Sequence, residues 1–226
     1  MTDTDTDTDI SYQTRQRILA AALPIAGFEG WTSKTLRAAV AECKLPKGSD
    51  ALYFPGGAIE LISFWGEESN RKAEIALTKI DLSALKIRKR VTAGVIARLE
   101  TIGDNEEAAR RALAKFSVPS SGAAGPKSLW AAADTIWRAI GDTSTDANFY
   151  SKRTVLSAVI SSSLMAWLND NSDDKAEARV FLDRRIENVM QFEKFKFKAR
   201  TAREKWPDPI KAMAGLRYGA RRRRRR

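Results

Sequence analysis

The sequence predicts an all-α protein of seven to ten helices. Three observations carry that reading. Apolar residues recur at spacings near 3.6 in almost every segment, the pattern of amphipathic helices. No alternating run of useful length marks a strand. Glycine, proline and serine cluster between the periodic segments, where such residues end helices. A chain of 226 residues with 43% hydrophobic side chains is long enough for one domain, or one with a small appendage, and can bury a core.

The elements follow in order. Residues 1–9 are a Thr-Asp alternation after Met1, polar and coreless, and residues 1–13 are expected to form a disordered acidic tail. Ile18, Leu19, Ala22, Leu23 and Ile25 give residues 14–28 a helical face that ends at Gly27 and Gly30. Leu36, Ala39, Val40 and Cys43 do the same for 33–43. Lys47-Gly48-Ser49 opens a third short helix ending in Leu52-Tyr53-Phe54-Pro55. Residues 59–80 carry Ile62, Trp65, Ala73, Ala76, Leu77 and Ile80 near one stripe. Residues 85–102 carry Leu85, Val91, Val95, Leu99 and Ile102, with Lys86, Arg88, Lys89, Arg90 and Arg98 on the opposite, basic face. Gly103 stops that helix, and Asp104 with Glu107 reads as a capping box for the next. After a Ser/Gly/Pro-rich loop at 117–127, helices resume at 128–140, 149–168 and 176–205.

Composition removes whole classes of chemistry. There is no histidine and one cysteine, Cys43. Ser-His-Asp and Cys-His catalysis, His-ligated zinc and His-containing di-iron sites are therefore excluded, as is an intramolecular disulfide. No catalytic residue, metal site or cofactor is expected. The formal charge is +11. Six of the basic residues are the closing arginines 221–226, and the stretch between the two charged ends stays positive. An anionic partner is expected: nucleic acid, a lipid surface or an acidic protein patch. The longest run without charge, residues 154–169, contains four serines and falls short of the roughly 20 apolar residues of a spanning helix.

Three constellations bear on function. The first 65 residues hold a helix-turn-helix pattern, with Gly30-Trp31-Thr32 as the turn. It resembles the amino-terminal domain of TetR-type regulators, whose third helix enters the major groove. Here that helix offers Asp50, Ala51 and Leu52. A carboxylate repels phosphate and the two apolar side chains make no bidentate base contact. The motif is either scaffold or a working DNA reader, and DNA is the less expected partner. In the second constellation, Leu129, Trp130, Ala133, Ile136, Trp137 and Ile140 form one broad apolar face, and Leu156, Val159, Ile160, Ser163 and Trp167 form another. Two such helices either pack as plain core or leave a groove for a long apolar ligand. Ser161-Ser162-Ser163 either bond back to carbonyls one turn earlier or face the polar end of that ligand. In the third, Phe192, Phe195, Ala199, Ala202 and Trp206 make an apolar face interleaved with Lys194, Lys196, Lys198, Arg200, Arg203 and Lys205. That is the composition of a helix lying in a membrane interface, or of a closing helix docked on the domain.

Several runs in series resemble one family. They are Leu52-Tyr53-Phe54-Pro55-Gly56-Gly57-Ala58-Ile59-Glu60-Leu61, Ala133-Asp134-Thr135-Ile136-Trp137, Gly141-Asp142, and Asp146-Ala147-Asn148-Phe149-Tyr150-Ser151-Lys152-Arg153. Trp167-Leu168-Asn169-Asp170-Asn171-Ser172 and Phe181-Leu182-Asp183-Arg184-Arg185-Ile186-Glu187 complete the set. Together, over roughly 14–197, they are similar to the ninth Coq protein family, lipid-binding accessory proteins of ubiquinone biosynthesis. The resemblance implies a TetR-like fold, a homodimer, and an apolar pocket for an isoprenoid quinone intermediate or a phospholipid. It implies a terminal helix on the membrane surface, and the demethoxyubiquinone hydroxylase as partner, met through the patch that Phe149, Tyr150 and Arg153 match. Phe149 stands where the family more often has Trp.

The expected organisation is a tail at 1–13, a helix-turn-helix-like domain at 14–58, a ligand-binding and dimerisation domain at 59–190, and a basic membrane-contacting end at 191–226. The expected lipid contacts are the two apolar faces of the second constellation. The expected membrane contacts are Phe192, Phe195, Lys196, Lys198 and Trp206. The alternative function is a ligand-responsive TetR-type regulator. The absence of a transit peptide in the opening residues leads to the expectation of a bacterial, cytoplasmic protein held peripherally at a membrane.

Overall fold

A computed structural model describes residues 3–145 and 147–204, and the side chains of 3–8, 147 and 192–204 lie outside that description. Among the described residues there are nine α-helices and no strand. They are α1 (Asp3–Glu29), α2 (Ser33–Glu42), α3 (Ser49–Tyr53), α4 (Gly57–Thr78), α5 (Ile87–Glu100), α6 (Glu106–Phe116), α7 (Ala124–Ala139), α8 (Ala147–Asn169) and α9 (Ala176–Glu204). No helix among them is long and apolar enough to cross a membrane. Two compact units divide the chain, Met1–Asp183 and Arg184–Arg226. The second is described only as the later part of α9.

The first three helices have the helix-turn-helix arrangement. Gly30, at φ +80°, ends α1, where its N–H bonds to the Ala26 carbonyl. Thr32 then caps α2 by accepting from the Thr35 N–H at 3.1 Å. Gly48, at φ +90°, opens α3. Leu52 on α3 is 73% exposed. Trp31 is sealed in, stacks on Trp65 at 5.6 Å, and donates from its indole N–H to the Ala108 carbonyl at 2.9 Å.

Packing departs from the sequence reading in three places. First, α1 starts at Asp3, eleven residues before the periodic stretch at 14–28, so the tail expected at 1–13 is corrected. Tyr12 holds that turn, donating its hydroxyl to Glu68 Oε1 at 2.6 Å and meeting Phe64 edge-on. A single aromatic anchor leaves no period for a sequence to show. Second, no break falls at residue 58. One apolar core joins Ile18 and Ala22 of α1, Leu36 and Val40 of α2, Leu61 and Phe64 of α4, and Ala108 and Ala112 of α6. Third, the capping box is absent: Asn105, not Asp104, is the N-cap of α6, and it makes no side-chain cap bond. In addition α7 starts at Ala124, inside the expected loop, with Pro126 in its first turn, where a missing N–H costs nothing.

Beyond the first core, α4 is the central element, packing on α7, α5 and α2, while α7 packs on α8. Gly94 sets the α5–α7 approach, since a Cβ there would sit 2.5 Å from Ile136 Cγ2. Asp170 anchors the start of α9. Its Oδ2 accepts the Ala178 N–H and its Oδ1 the Ser172 N–H, both at 2.7 Å.

Candidate functional site

A cavity of about 290 Å³ lies among α4, α5, α6, α7 and α8. Ile62, Trp65, Gly66 and Ser69 of α4 form one wall, and Arg98 and Leu99 of α5 with Ile102 form the next. Ala109, Ala112, Leu113 and Phe116 of α6 face Leu129 and Ala132 of α7, and Ile160, Ser161 and Leu164 of α8 close the space. Exposed Ser117 and Pro126 stand at its rim, with Gly125 and Ser128 beside them.

Small residues create the hollow in two ways. Alanines at 109, 112 and 132 leave volume that larger side chains would fill. Glycines bring the walls together: a Cβ at Gly66 would meet Ser128 Oγ at 2.8 Å, and one at Gly125 would meet Phe116 Cβ at 3.1 Å. The result is an apolar chamber with few polar groups, the usual build of a small-molecule site. Its volume lies at the lower end of the roughly 300–1,000 Å³ typical of such sites.

Of the lipid contacts expected from sequence, only Leu129 and Ile160 line this cavity. The others do not line it. Ala133, Ile136, Ile140, Leu156, Val159 and Trp167 are buried away from it as solid core, because they point from α7 and α8 into close packing. Trp130 and Trp137 are half-buried. Ser163 is sealed, its hydroxyl without a partner. The serine run splits by face: Ser162 bonds back to the Ala158 carbonyl at 2.9 Å, whereas Ser161 lines the cavity. The helical period places Arg98 on the basic outer face of its helix, whereas in the structure it lines the cavity. The α6 wall comes from Ala109 and Ala112, residues that the sequence analysis does not single out.

A second cluster sits at the junction of α7 and α8. Arg153 is 2% exposed. Its Nε donates to Asp134 Oδ1 at 2.6 Å, its Nη1 donates to the Phe149 carbonyl at 3.2 Å, and Asp142 lies 3.4 Å away. Its guanidinium lies 3.4 Å from the Phe149 ring centroid. Lys152 Nζ donates to Asp142 Oδ1 at 2.6 Å and to Ser144 Oγ at 2.7 Å. The Trp137 indole N–H donates to the Lys152 carbonyl. Outside this network, Trp130, Phe149 and Tyr150 form an aromatic group with centroids 5.1–6.5 Å apart. Tyr150 is 64% exposed, so it can meet a partner. Arg153, as a partner contact, is corrected: burial removes it from any surface, and its position instead fixes Phe149.

Two carboxyls tie this frame to pH. Burial would raise the Asp142 carboxyl, but hydrogen bonds from Lys152 and Ser144 outweigh it and hold it below the usual range. The Ser172 hydroxyl, aided by the Ala178 and Ser172 N–H groups, holds Asp170 low as well. Both folded values lie below the unfolded ones, so the stability they confer is complete at neutral pH. It is lost as pH falls through the carboxylate range, roughly 4 and below. Urea melts at stepped pH are expected to weaken there, and Asp170→Asn to flatten that slope. An unchanged slope would rule out this carboxyl as its source.

None of the five expected membrane contacts falls among the side chains described. The backbone at Phe192, Phe195, Lys196 and Lys198 belongs to α9, but those side chains, and Trp206 altogether, lie outside the described residues.

Comparisons with known proteins bear on this geometry. Residues 123–193, which include α7, α8 and the aromatic group, match the COQ9 family model. The chain is 27% identical over 188 residues to the mitochondrial ubiquinone biosynthesis protein COQ9 of Xenopus tropicalis, covering 79% of this chain and 58% of that protein. It is 25% identical over 190 residues to human COQ9 (81% and 60%) and 26% over 186 residues to the probable coq9 of Dictyostelium discoideum (80% and 61%). The chain thus spans about three fifths of the length of these curated relatives. A TetR transcriptional regulator from Nitrosomonas europaea shares the fold, with a TM-score of 0.63 at 14% identity over 79% of this chain and 99% of that one. The resemblance read from the sequence, and the TetR-like all-α fold, are both shown. The expectation of a bacterial, cytoplasmic protein is corrected: these COQ9 relatives are named mitochondrial. That expectation leaned on the opening residues, which cannot speak for proteins that extend well beyond the matched region.

Proposed function

We propose, from the likeness to the COQ9 family, that this chain serves ubiquinone biosynthesis as a non-catalytic carrier of a lipid intermediate. The cavity among α4 to α8 is the observation that carries the reading. It takes one end of an isoprenoid quinone precursor in place of acyl chains. Each Å² of apolar surface removed from water contributes about 25 cal/mol, so a few isoprene units supply several kcal/mol. A cavity of about 290 Å³ holds only part of a long polyprenyl tail, which leaves the remainder at a membrane surface or on a partner. The exposed Tyr150, propped by Phe149 and Trp130, is the surface we assign to the hydroxylase that receives the intermediate. A second copy of the chain, as a homodimer, belongs to the same proposal.

The regulator alternative lacks a comparable observation. The α3 helix presents Asp50 in its first turn and an exposed Leu52, neither of which reads a base. Native mass spectrometry of the purified chain tests the proposal. A bound isoprenoid, quinone or phospholipid is expected. A protein that stays empty, even when offered a short-chain isoprenoid quinone, would sink it.

A further inference from the structure

One cavity-lining residue is chemically out of place. Arg98 is the one charged residue in a lining that is mostly apolar, with Ile62, Trp65, Leu99 and Ile160 among its members. Its Nε donates to Asn70 Oδ1 at 2.7 Å and its Nη1 to Thr101 Oγ1 at 3.3 Å. Both partners are neutral. Among the described residues no carboxylate forms an ion pair with Arg98, although many other arginines have one. By exposed area the residue is half-buried, yet it is deep enough that desolvation alone lowers its guanidinium to about 10. Cations in such places are normally matched by an anion. An arginine that only bridged Asn70 and Thr101 would give that bridge no use for its charge. A guanidinium has five N–H donors in a planar fork, and the two bonds above leave donors for the bidentate grip on an oxyanion that this group makes best.

We infer that Arg98 anchors the anionic oxygen headgroup of a single-chain amphiphile whose tail fills the rest of the cavity. The inference rests on the lipid-carrier reading and sharpens it. Shared chemistry, a carboxylate or a phosphate on one apolar chain, defines the ligand class. A cavity of about 290 Å³ takes one apolar chain at a time, so a phospholipid would enter it by a single chain. Ser69 and Ser161, on the same lining, supply hydroxyls for the remaining lone pairs.

Trp65, in the cavity wall, serves as reporter. The full chain is titrated near neutral pH with hexadecanoate, hexadecyl phosphate, hexadecanol and inorganic phosphate, following tryptophan fluorescence, with a Trp65→Phe control to identify the signal. At least one of the two anionic amphiphiles is expected to bind about tenfold or more tightly than the alcohol, the usual worth of a charge-assisted hydrogen bond. Their ratio tells carboxylate from phosphate. Arg98→Gln is expected to abolish that preference, read as the ratio of anion to alcohol affinity within each variant, and Arg98→Lys to keep part of it. Equal binding of alcohol and anions to the unaltered chain would overturn the anchor and leave the carrier reading standing. So would a preference that survives Arg98→Gln. Inorganic phosphate that binds as well as the amphiphiles would make this a free-anion site and overturn the ligand class. No response to any chain-bearing probe would overturn anchor and carrier together. Circular dichroism checks folding of the glutamine variant; should it not fold, the preference of the unaltered chain and of Arg98→Lys decides.

Discussion

Arg153→Ala is expected to cost about 3–5 kcal/mol of stability, the typical loss when one member of a buried ion pair is removed. The side chain is almost wholly enclosed, and truncation leaves Asp134 short of its 2.6 Å donor while opening a void beneath the Phe149 ring. Asp142 keeps Lys152 at 2.6 Å, which places the loss within that range rather than above it. For a domain of this size the melting temperature is expected to fall by roughly 10 °C. Asp142→Asn keeps the shape and removes one charge, so it is expected to lose less. Thermal and urea melts of both variants check the order. A melting point unchanged by Arg153→Ala would mean that the network is not built as described.

The second large effect concerns the cavity. Ala132 lines it, while Ala133, one residue on, is fully buried outside it. Ala132→Phe is expected to occupy the space itself and reduce binding of an apolar probe more than about tenfold, with a smaller stability loss than the same enlargement in solid core. Ala132→Leu is expected to fall between. Ala133→Leu has nowhere to put its extra carbons and is expected to lose about 1–3 kcal/mol by overpacking. Probe titrations and urea melts of these variants separate the two neighbours. Full probe binding by Ala132→Phe would show that the hollow is not where the ligand goes.

The architecture was largely legible in the sequence because period and breakers act locally. Gly30, Gly48 and Gly103 stand where the chain turns, and each stripe became a helix. The aromatic pair at 149–150 was singled out only through the family resemblance; that Tyr150 is exposed while Phe149 is half-buried was not legible in the sequence. The cavity was not. Hollow and solid interior use the same residue types, so Leu129 and Ile136 look alike until neighbouring helices are in place. What decides between them is spacing set by Gly66, Gly94 and Gly125, which no periodicity reveals. Arg98 was misplaced for a related reason. At the C-terminal end of α5 its long side chain reaches across the helix to Asn70, and a helical wheel does not record reach.

The two faces of α6 carry a consequence of their own. Ala108 backs onto Trp31 at the front of the molecule, while Leu113 and Phe116 look into the chamber behind. A single shaft therefore serves as a brace for one room and a partition for the other. Ala112 and Phe116 belong at once to the first core and to the chamber wall, so filling the chamber is expected to slow hydrogen exchange in α1 and α2 as well, which exchange with and without an apolar probe would check.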